Sequence, residues 1–387
     1  MKKLLIIAGV LAITSLIIGV FSIKHPEAAV YNGKSLRNWA LQMTAGNGVS
    51  RNEATAQFRA LGSNAVPGLL VLLRARDSFL RREVWTVASK MPAPIKNLIT
   101  SRVRAPDAAM IRNAAARSLA AVGSEAQAAV PGLGQMLWKD EAQGRMEAAL
   151  ALGNIGGCGV PELTMASESK DSNIRYAAVC GLGNVQSCDN VVVMALLKAY
   201  GDTNAGIAVP AGSGLSKMGT NALPILARAL ESPDTETRRQ ATRALGAIGA
   251  ARDDIIPLIL KMLRDKEPVC RVQAAQTLGT SVLPNPAMVG GLVGALDDSS
   301  IEVRLAAIQG LRQGHRTAAR AVPELVRCLD DSSPVVRESA AQSLGAIGTP
   351  AKLALPRLIR AADDNDKTVR AAATGAIAKI EARQGTN

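Results

Sequence analysis

The feature that most constrains this chain is an arginine that returns at nearly constant intervals. It stands at Arg51, Arg81, Arg112, Arg145, Arg175, Arg238, Arg271, Arg304, Arg337 and Arg370, with Ala208 in the one vacancy, at steps of 30 to 33 residues. The fullest copy is Asp331–Gly348, where a polar turn leads into Val336-Arg337, followed by the small pair Ala340-Ala341, then Leu344, then Ile347-Gly348. Fourteen residues before the arginine lie Pro67, Pro131, Pro161, Pro224, Pro257, Pro323 and Pro356. Each copy reads as a helical hairpin. Proline suits the first turn of helix A, a polar turn with Asp or Ser caps helix B, and glycine closes it. One such hairpin cannot bury its own apolar face, so neighbours must stack into an all-α solenoid of about eleven hairpins. Aromatic residues make up only 2% of the chain, which favours helices packed closely through small side chains.

Proline in helix A, aspartate in the turn and Val-Arg early in helix B, as at Asp298 with Val303-Arg304 and Asp331 with Val336-Arg337, resemble HEAT repeats. The likeness is to the short bacterial kind also seen in phycobilisome-lyase-like proteins, and it extends over residues 45–383. The resemblance implies an armadillo-like superhelix. It leaves function open, because the family spans scaffolds, transport receptors, lyases and nucleic-acid enzymes.

Three regions follow: 1–24, 25–44 and the array at 45–387. Lys2 and Lys3 precede an uncharged apolar run, Leu4–Ile23, whose twenty residues as a helix match the hydrocarbon thickness of a bilayer. Lys24, His25 and Pro26 separate it from Ala28-Ala29, so an uncleaved signal anchor is expected, with a cleaved signal and a secreted or periplasmic chain as the alternative. The leading lysines place the array outside the cytoplasm, although Lys24, Lys34 and Arg37 pull the other way. In 25–44, Ser35 can cap a short helix with Leu36, Trp39, Ala40 and Met43 on one face, suited to closing the array's end. Gly33-Lys34-Ser35 is not a phosphate loop, since Ala28 stands where the pattern needs glycine. The net charge of +13 is concentrated near the N-terminus, with 12 basic against 5 acidic residues in 25–110 and near balance from 111 to 300. That distribution fits a solvated or lipid-facing surface better than a nucleic-acid reader.

Catalysis is poorly supplied. There are two histidines, His25 and His315; Gly212-Ser213-Gly214 lacks the spacing of a nucleophile elbow; and no CxxC occurs among the five cysteines. No cofactor or metal is expected. The arginines from Arg112 to Arg370 read as a structural ladder paired with turn carboxylates such as Asp265, Asp298, Asp331 and Asp364, in their own or an adjacent unit. Asp297-Asp298, Asp330-Asp331 and Asp363-Asp364 read as helix caps rather than calcium ligands. Cys158 and Cys188 hold the same repeat position with Cys180 between them, and on an exported chain a disulfide from Cys158 to Cys188 or to Cys180 competes with three unpaired thiols.

Against this regularity two departures stand out. The unit at Ala208 carries Pro210, Gly212 and Gly214, which predicts a kinked or shortened helix. Just before it, the positions one and five after the arginine turn apolar: Met146 and Leu150, Tyr176 and Cys180, then Val209. Later units hold Arg239 and Arg243, Val272 and Gln276, Leu305 and Gln309, Glu338 and Gln342 there. The run is either core or a protein-binding patch on a concave B-helix surface. The chain is therefore expected to be a membrane-anchored, non-catalytic protein-interaction scaffold, with a HEAT-like enzyme or lyase and a cytoplasmic nucleic-acid binder as alternatives.

Overall fold

The computed structural model describes residues 30–45, 47–102, 107–250, 252–280, 285–313 and 319–382. The apolar run at 4–23 and both histidines lie outside them. Among the described residues no helix is long and apolar enough to cross a membrane. Apart from one short β-hairpin, every regular element is helical, and the chain divides after Ser187 into two compact units.

In the second unit six A/B pairs follow in order: Asn190–Tyr200 with Ala205–Met218, Leu223–Ala229 with Thr235–Gly249, Ile256–Met262 with Pro268–Gly279, Pro286–Gly294 with Ile301–Gln313, Val322–Arg327 with Pro334–Ile347, and Leu355–Ala361 with Lys367–Ala382. Each B helix packs on the next B helix and on its own A helix. The A-helix prolines, among them Pro224, Pro257, Pro323 and Pro356, occupy the first turn, where a missing N–H costs nothing. Gly348 ends its helix at φ 74°, a left-handed conformation that favours glycine, and donates its N–H to the carbonyl of Leu344. The small pairs face the neighbouring helices and are fully buried, as at Ala274-Ala275 and Ala340-Ala341. B helices meet almost backbone to backbone: a Cβ on Gly279 would lie 2.4 Å from Cα of Gly310.

The first unit repeats this plan with Val130–Lys139 and Ala142–Ile155, then Val160–Ser167 and Ser172–Leu182. Its N-terminal part corrects the expectation of eleven equivalent hairpins. Val66–Leu73, read as partner of the helix carrying Arg81, instead packs on Ala108–Val122. Its Leu73 lies against the next A helix, where a Cβ on Gly132 would approach within 2.9 Å. Arg112 donates to the carbonyl of Ala75 at 3.0 Å, and the Asp77 carboxylate accepts from the N–H groups of Asp107 and Ala108 at 3.2 Å. A complete unit is thus formed across a gap in sequence, and the helices Phe79–Ser89 and Ala93–Arg102, which pack on each other, are inserted into it. The Arg81 side chain lies outside the described set.

The N-terminal pair, Leu36–Ala45 and Gly48–Leu61, closes the first unit. Leu36, Trp39, Ala40 and Met43 are all buried, with the helix lying on Ala108–Val122, and the Ser35 hydroxyl accepts from the N–H of Asn38. A two-residue antiparallel ladder, Val30–Tyr31 with Lys34–Ser35, precedes it around Asn32-Gly33, both at positive φ as such a tight turn requires. Trp39 Nε1 donates to the Tyr31 carbonyl at 2.8 Å and Lys34 sits 4.3 Å over its ring, so the Gly-Lys-Ser stretch is a turn pinned to a tryptophan.

Candidate partner-binding surface

The arginine ladder fixes which face of a B helix is left to solvent. In the second unit, Arg238, Arg271, Arg304 and Arg337 each reach forward with Nε and Nη2 to both oxygens of the next unit's aspartate, Asp265, Asp298, Asp331 and Asp364, at 2.7–2.9 Å. Nη1 of the same arginine binds its own turn, as Arg271 does at the carbonyls of Asp265 and Lys266. One guanidinium therefore bridges two units in a planar fork that lysine cannot reproduce. Each aspartate also accepts from a backbone N–H two residues on, as Asp298 does from Ser300, so it orders the turn. Burial pushes the carboxyls of Asp265 and Asp298 up, but the arginine and backbone hydrogen bonds outweigh it and hold both below the usual range. The first member of the acidic pairs is engaged elsewhere, Asp297 with Arg327 and Asp330 with Arg357, so these pairs act as pairwise links between units.

In the first unit the pattern continues with Arg112 to Asp140 at 2.9 Å and Arg145 to Asp171 at 3.3 Å. Arg175 donates to the carbonyls of Ser169 and Lys170 in its own turn, and Arg370 does the same with Asp364 and Asn365. The rung to Asp107 is supplied at 2.6 Å by Arg37, which no repeat register would have found, because Leu36–Ala45 takes the place of a preceding B helix.

With Arg145 and Arg175 committed to the turn and Ala148, Ala149 and Ala178 to the neighbouring helices, the positions one and five after these two arginines are not core, whereas Asn113, one after Arg112, is buried. Tyr176 is 44% and Val209 70% exposed, while Met146, Leu150 and Cys180 are half-buried. None of the five is core. Met146 with Leu150, and Tyr176 with Cys180, are one helical turn apart on adjacent, packed B helices, so these four form one apolar row in the first unit. The Cys180 thiol beside it, through its charge and then a hydrogen bond, raises the Tyr176 phenol above its usual value, and burial adds to this. Val209 belongs to the second unit. At the row's other side Arg117 grips Glu147 through Nε and Nη2 at 2.7 and 2.5 Å and donates to the Met43 carbonyl.

Around Ala208 the helix keeps its full 14 residues despite Pro210, so the expected shortening does not occur. The glycines have a packing reason. A Cβ on Gly212 would lie 2.7 Å from the Tyr200 ring, whose other side carries the Arg243 guanidinium at 4.0 Å. Ser232 stands six residues before Arg238, where later units carry the ladder aspartate, and Asp234 caps its own helix, accepting from the N–H and hydroxyl of Thr237.

All five cysteines are free thiols in the structure: Cys158 is exposed, Cys180 and Cys188 are half-buried, and Cys270 and Cys328 are buried. Burial and the charge of Asp189 push the Cys188 thiol up, and burial first pushes Cys270 and Cys328 up to about 11. Among the described residues no group of His, Cys, Asp and Glu is arranged to hold a metal ion.

The family model for HEAT repeats matches residues 206–279, 222–312 and 289–378. Residues 206–378 carry HEAT repeats. No curated protein matches the sequence. Among solved structures the repeats resemble an engineered protein (21% identity, 89% of this chain and 98% of that one, TM-score 0.34) and YibA of Escherichia coli (20%, 80% and 99%, TM-score 0.36). They also resemble the karyopherin Kap121p bound to the extreme C-terminus of the phosphatase Cdc14p (12%, 89% and 49%, TM-score 0.50), of which this chain spans about half the length. At 12% identity the likeness to Kap121p shows the fold alone, an all-α solenoid.

Proposed function

We infer that the protein is a non-catalytic interaction scaffold whose partner docks on Met146, Leu150, Tyr176 and Cys180 of the first unit, and that residues 4–23 anchor it with the array on the extracytoplasmic side. The observation that carries the docking reading is the change of chemistry at fixed register. Outward positions that hold Arg239, Arg243, Glu338 and Gln342 in later units hold Met, Leu, Tyr and Cys on two consecutive B helices. Exposed Val269 and Val335 stand singly elsewhere, as on any soluble surface. A row of two adjacent pairs with a tyrosine at its centre has the composition of an interface hot spot, and methionine adapts to the shape it meets. The occupant is a protein segment presenting apolar side chains.

Affinity capture with the full chain, wild type against Met146→Asp plus Tyr176→Asp, tests this. Tyr176 is exposed and Met146 only half-buried, so the variant should keep its helical circular dichroism while losing a bound protein. Retention of the same proteins would refute the docking reading. Alkaline carbonate extraction tests the anchor separately: the chain should stay with the membrane, and release into the soluble fraction would remove that part of the proposal.

A further inference from the structure

We propose that the inserted hairpin Phe79–Arg102 is a membrane-surface element that docks on anionic lipid. Solenoid stability does not account for it. The unit around it is completed by Val66–Leu73 and Ala108–Val122, with Arg112 on the Ala75 carbonyl and Asp77 on the N–H groups of Asp107 and Ala108. The hairpin instead presents apolar side chains to solvent: Phe79 is 66%, Val87 48%, Met91 36% and Ile95 49% exposed. Exposed Arg82, Lys90 and Lys96 are interleaved with them. Residues 79–102 contain five basic residues, Arg81, Arg82, Lys90, Lys96 and Arg102, against one acidic, Glu83. This is a net +4, more than half of the excess of 12 − 5 = +7 in 25–110.

That combination selects the occupant. Cations alone would suit a nucleic acid or an acidic protein, and apolar side chains alone a hydrophobic groove. Both together on short helices are the composition of segments lying in the interface of an anionic bilayer, where apolar groups enter the acyl boundary and lysine and arginine meet phosphate. Helices of 11 and 10 residues extend only about 15 Å, half the hydrocarbon thickness, so the hairpin lies on a membrane and does not span one. Docking needs no anchor at residues 4–23: a tethered chain would be oriented by it, and an untethered one recruited by it.

Hydrogen exchange of the full chain with vesicles of phosphatidylcholine, or of phosphatidylcholine mixed with phosphatidylglycerol, reads this directly. Peptides within 79–102 should slow about tenfold or more with phosphatidylglycerol only, and revert at high salt. Each basic residue near an anionic surface is worth about fivefold in affinity, so Arg82→Glu, Lys90→Glu and Lys96→Glu together should weaken vesicle binding about a hundredfold. Phe79→Ser with Ile95→Ser leaves the charges in place and should also lose the protection. Exchange in 79–102 indifferent to phosphatidylglycerol overturns the proposal. So does protection that rises with protein concentration without lipid, which would assign the hairpin to a second copy of the chain.

Discussion

Replacing Arg238 by leucine should destabilise the second unit by about 3–5 kcal/mol, because it strands a buried carboxylate. The Arg238 and Asp265 side chains are 5% and 7% exposed. The guanidinium makes four hydrogen bonds, two to Asp265 at 2.8 and 2.9 Å and two to the carbonyls of Ser232 and Pro233 at 3.0 and 3.2 Å. Without it Asp265 keeps the N–H of Glu267 at 2.9 Å, too little for a charge out of water. Arg238→Lys retains the charge but not the fork, and should cost about half as much. Arg238→Leu with Asp265→Leu removes both charges and should recover most of the loss. Arg370→Leu is the control: its two bonds are to its own turn on an exposed surface, so it should cost about 1 kcal/mol or less. Repeat arrays unravel in segments, so the readout is urea denaturation followed by hydrogen exchange in Thr235–Gly249 and Pro268–Gly279. If Arg238→Leu costs no more than Arg370→Leu, the ladder is not what couples neighbouring repeats.

The ladder also sets acid stability. Asp265, Asp298 and Asp364 have lowered folded-state values, so their contribution is whole above the unfolded carboxylate value of about 4 and is lost as pH falls through the lower folded value. The urea midpoint should therefore hold to about pH 4 and drop below it; a midpoint unchanged down to pH 3 would contradict this. Gly279→Ala puts a methyl 2.4 Å from Gly310 Cα and should cost about 1–3 kcal/mol, whereas Gly290→Ala meets nothing within 4 Å and should be neutral or stabilising by up to about 1 kcal/mol. Equal midpoints for the two variants would dismiss the close approach. Deleting residues 76–106 removes 31 residues, shortens the Pro67–Arg112 spacing from 45 to 14, the repeat's own value, and brings Ala75 from 37 to six residues before Arg112, the spacing of the turn carbonyls elsewhere. The shortened chain should fold with a urea midpoint near that of the parent, and loss of helical signal would show that the hairpin is a true repeat.

That hairpin is where the sequence misleads, and the reason is physical. It is close to a repeat in length and carries an arginine, so Arg51, Arg81 and Arg112 keep step at 30 and 31 residues. A closer criterion was available. Three and four residues after the arginine come Ala115-Ala116, Ala148-Ala149, Ala274-Ala275 and Ala340-Ala341, every one fully buried where B helices approach closely. After Arg81 the same positions are Val84 and Trp85, too large for that approach, and fourteen residues before Arg112 stands Leu98 in place of proline. The period reported hairpins, while packing membership lay in the position three after the arginine, which is a fully buried alanine at 115, 148, 241, 274, 307, 340 and 373 but Val84 after Arg81. The β-turn at Asn32-Gly33 was legible as a turn dipeptide, but its strands of two residues are too short to show a pattern.

For the candidate surface the sequence supplied register and the fold supplied direction. Period alone could not decide whether Met146, Leu150, Tyr176 and Cys180 faced a neighbouring helix or water. The answer comes from their neighbours along the same helices: Ala148, Ala149 and Ala178 take the interhelix face, and Arg145 and Arg175 the turn. What remains is solvent. The positions that vary in chemistry from unit to unit are then the ones free of packing and ladder duty, and a partner can be selected there without disturbing the array. On this argument the recurring arginines, for all their charge, are the residues least able to carry specificity. In Arg238, Arg271, Arg304 and Arg337 four of the five guanidinium donors are spent on two turn carbonyls and the next unit's carboxylate before a ligand arrives.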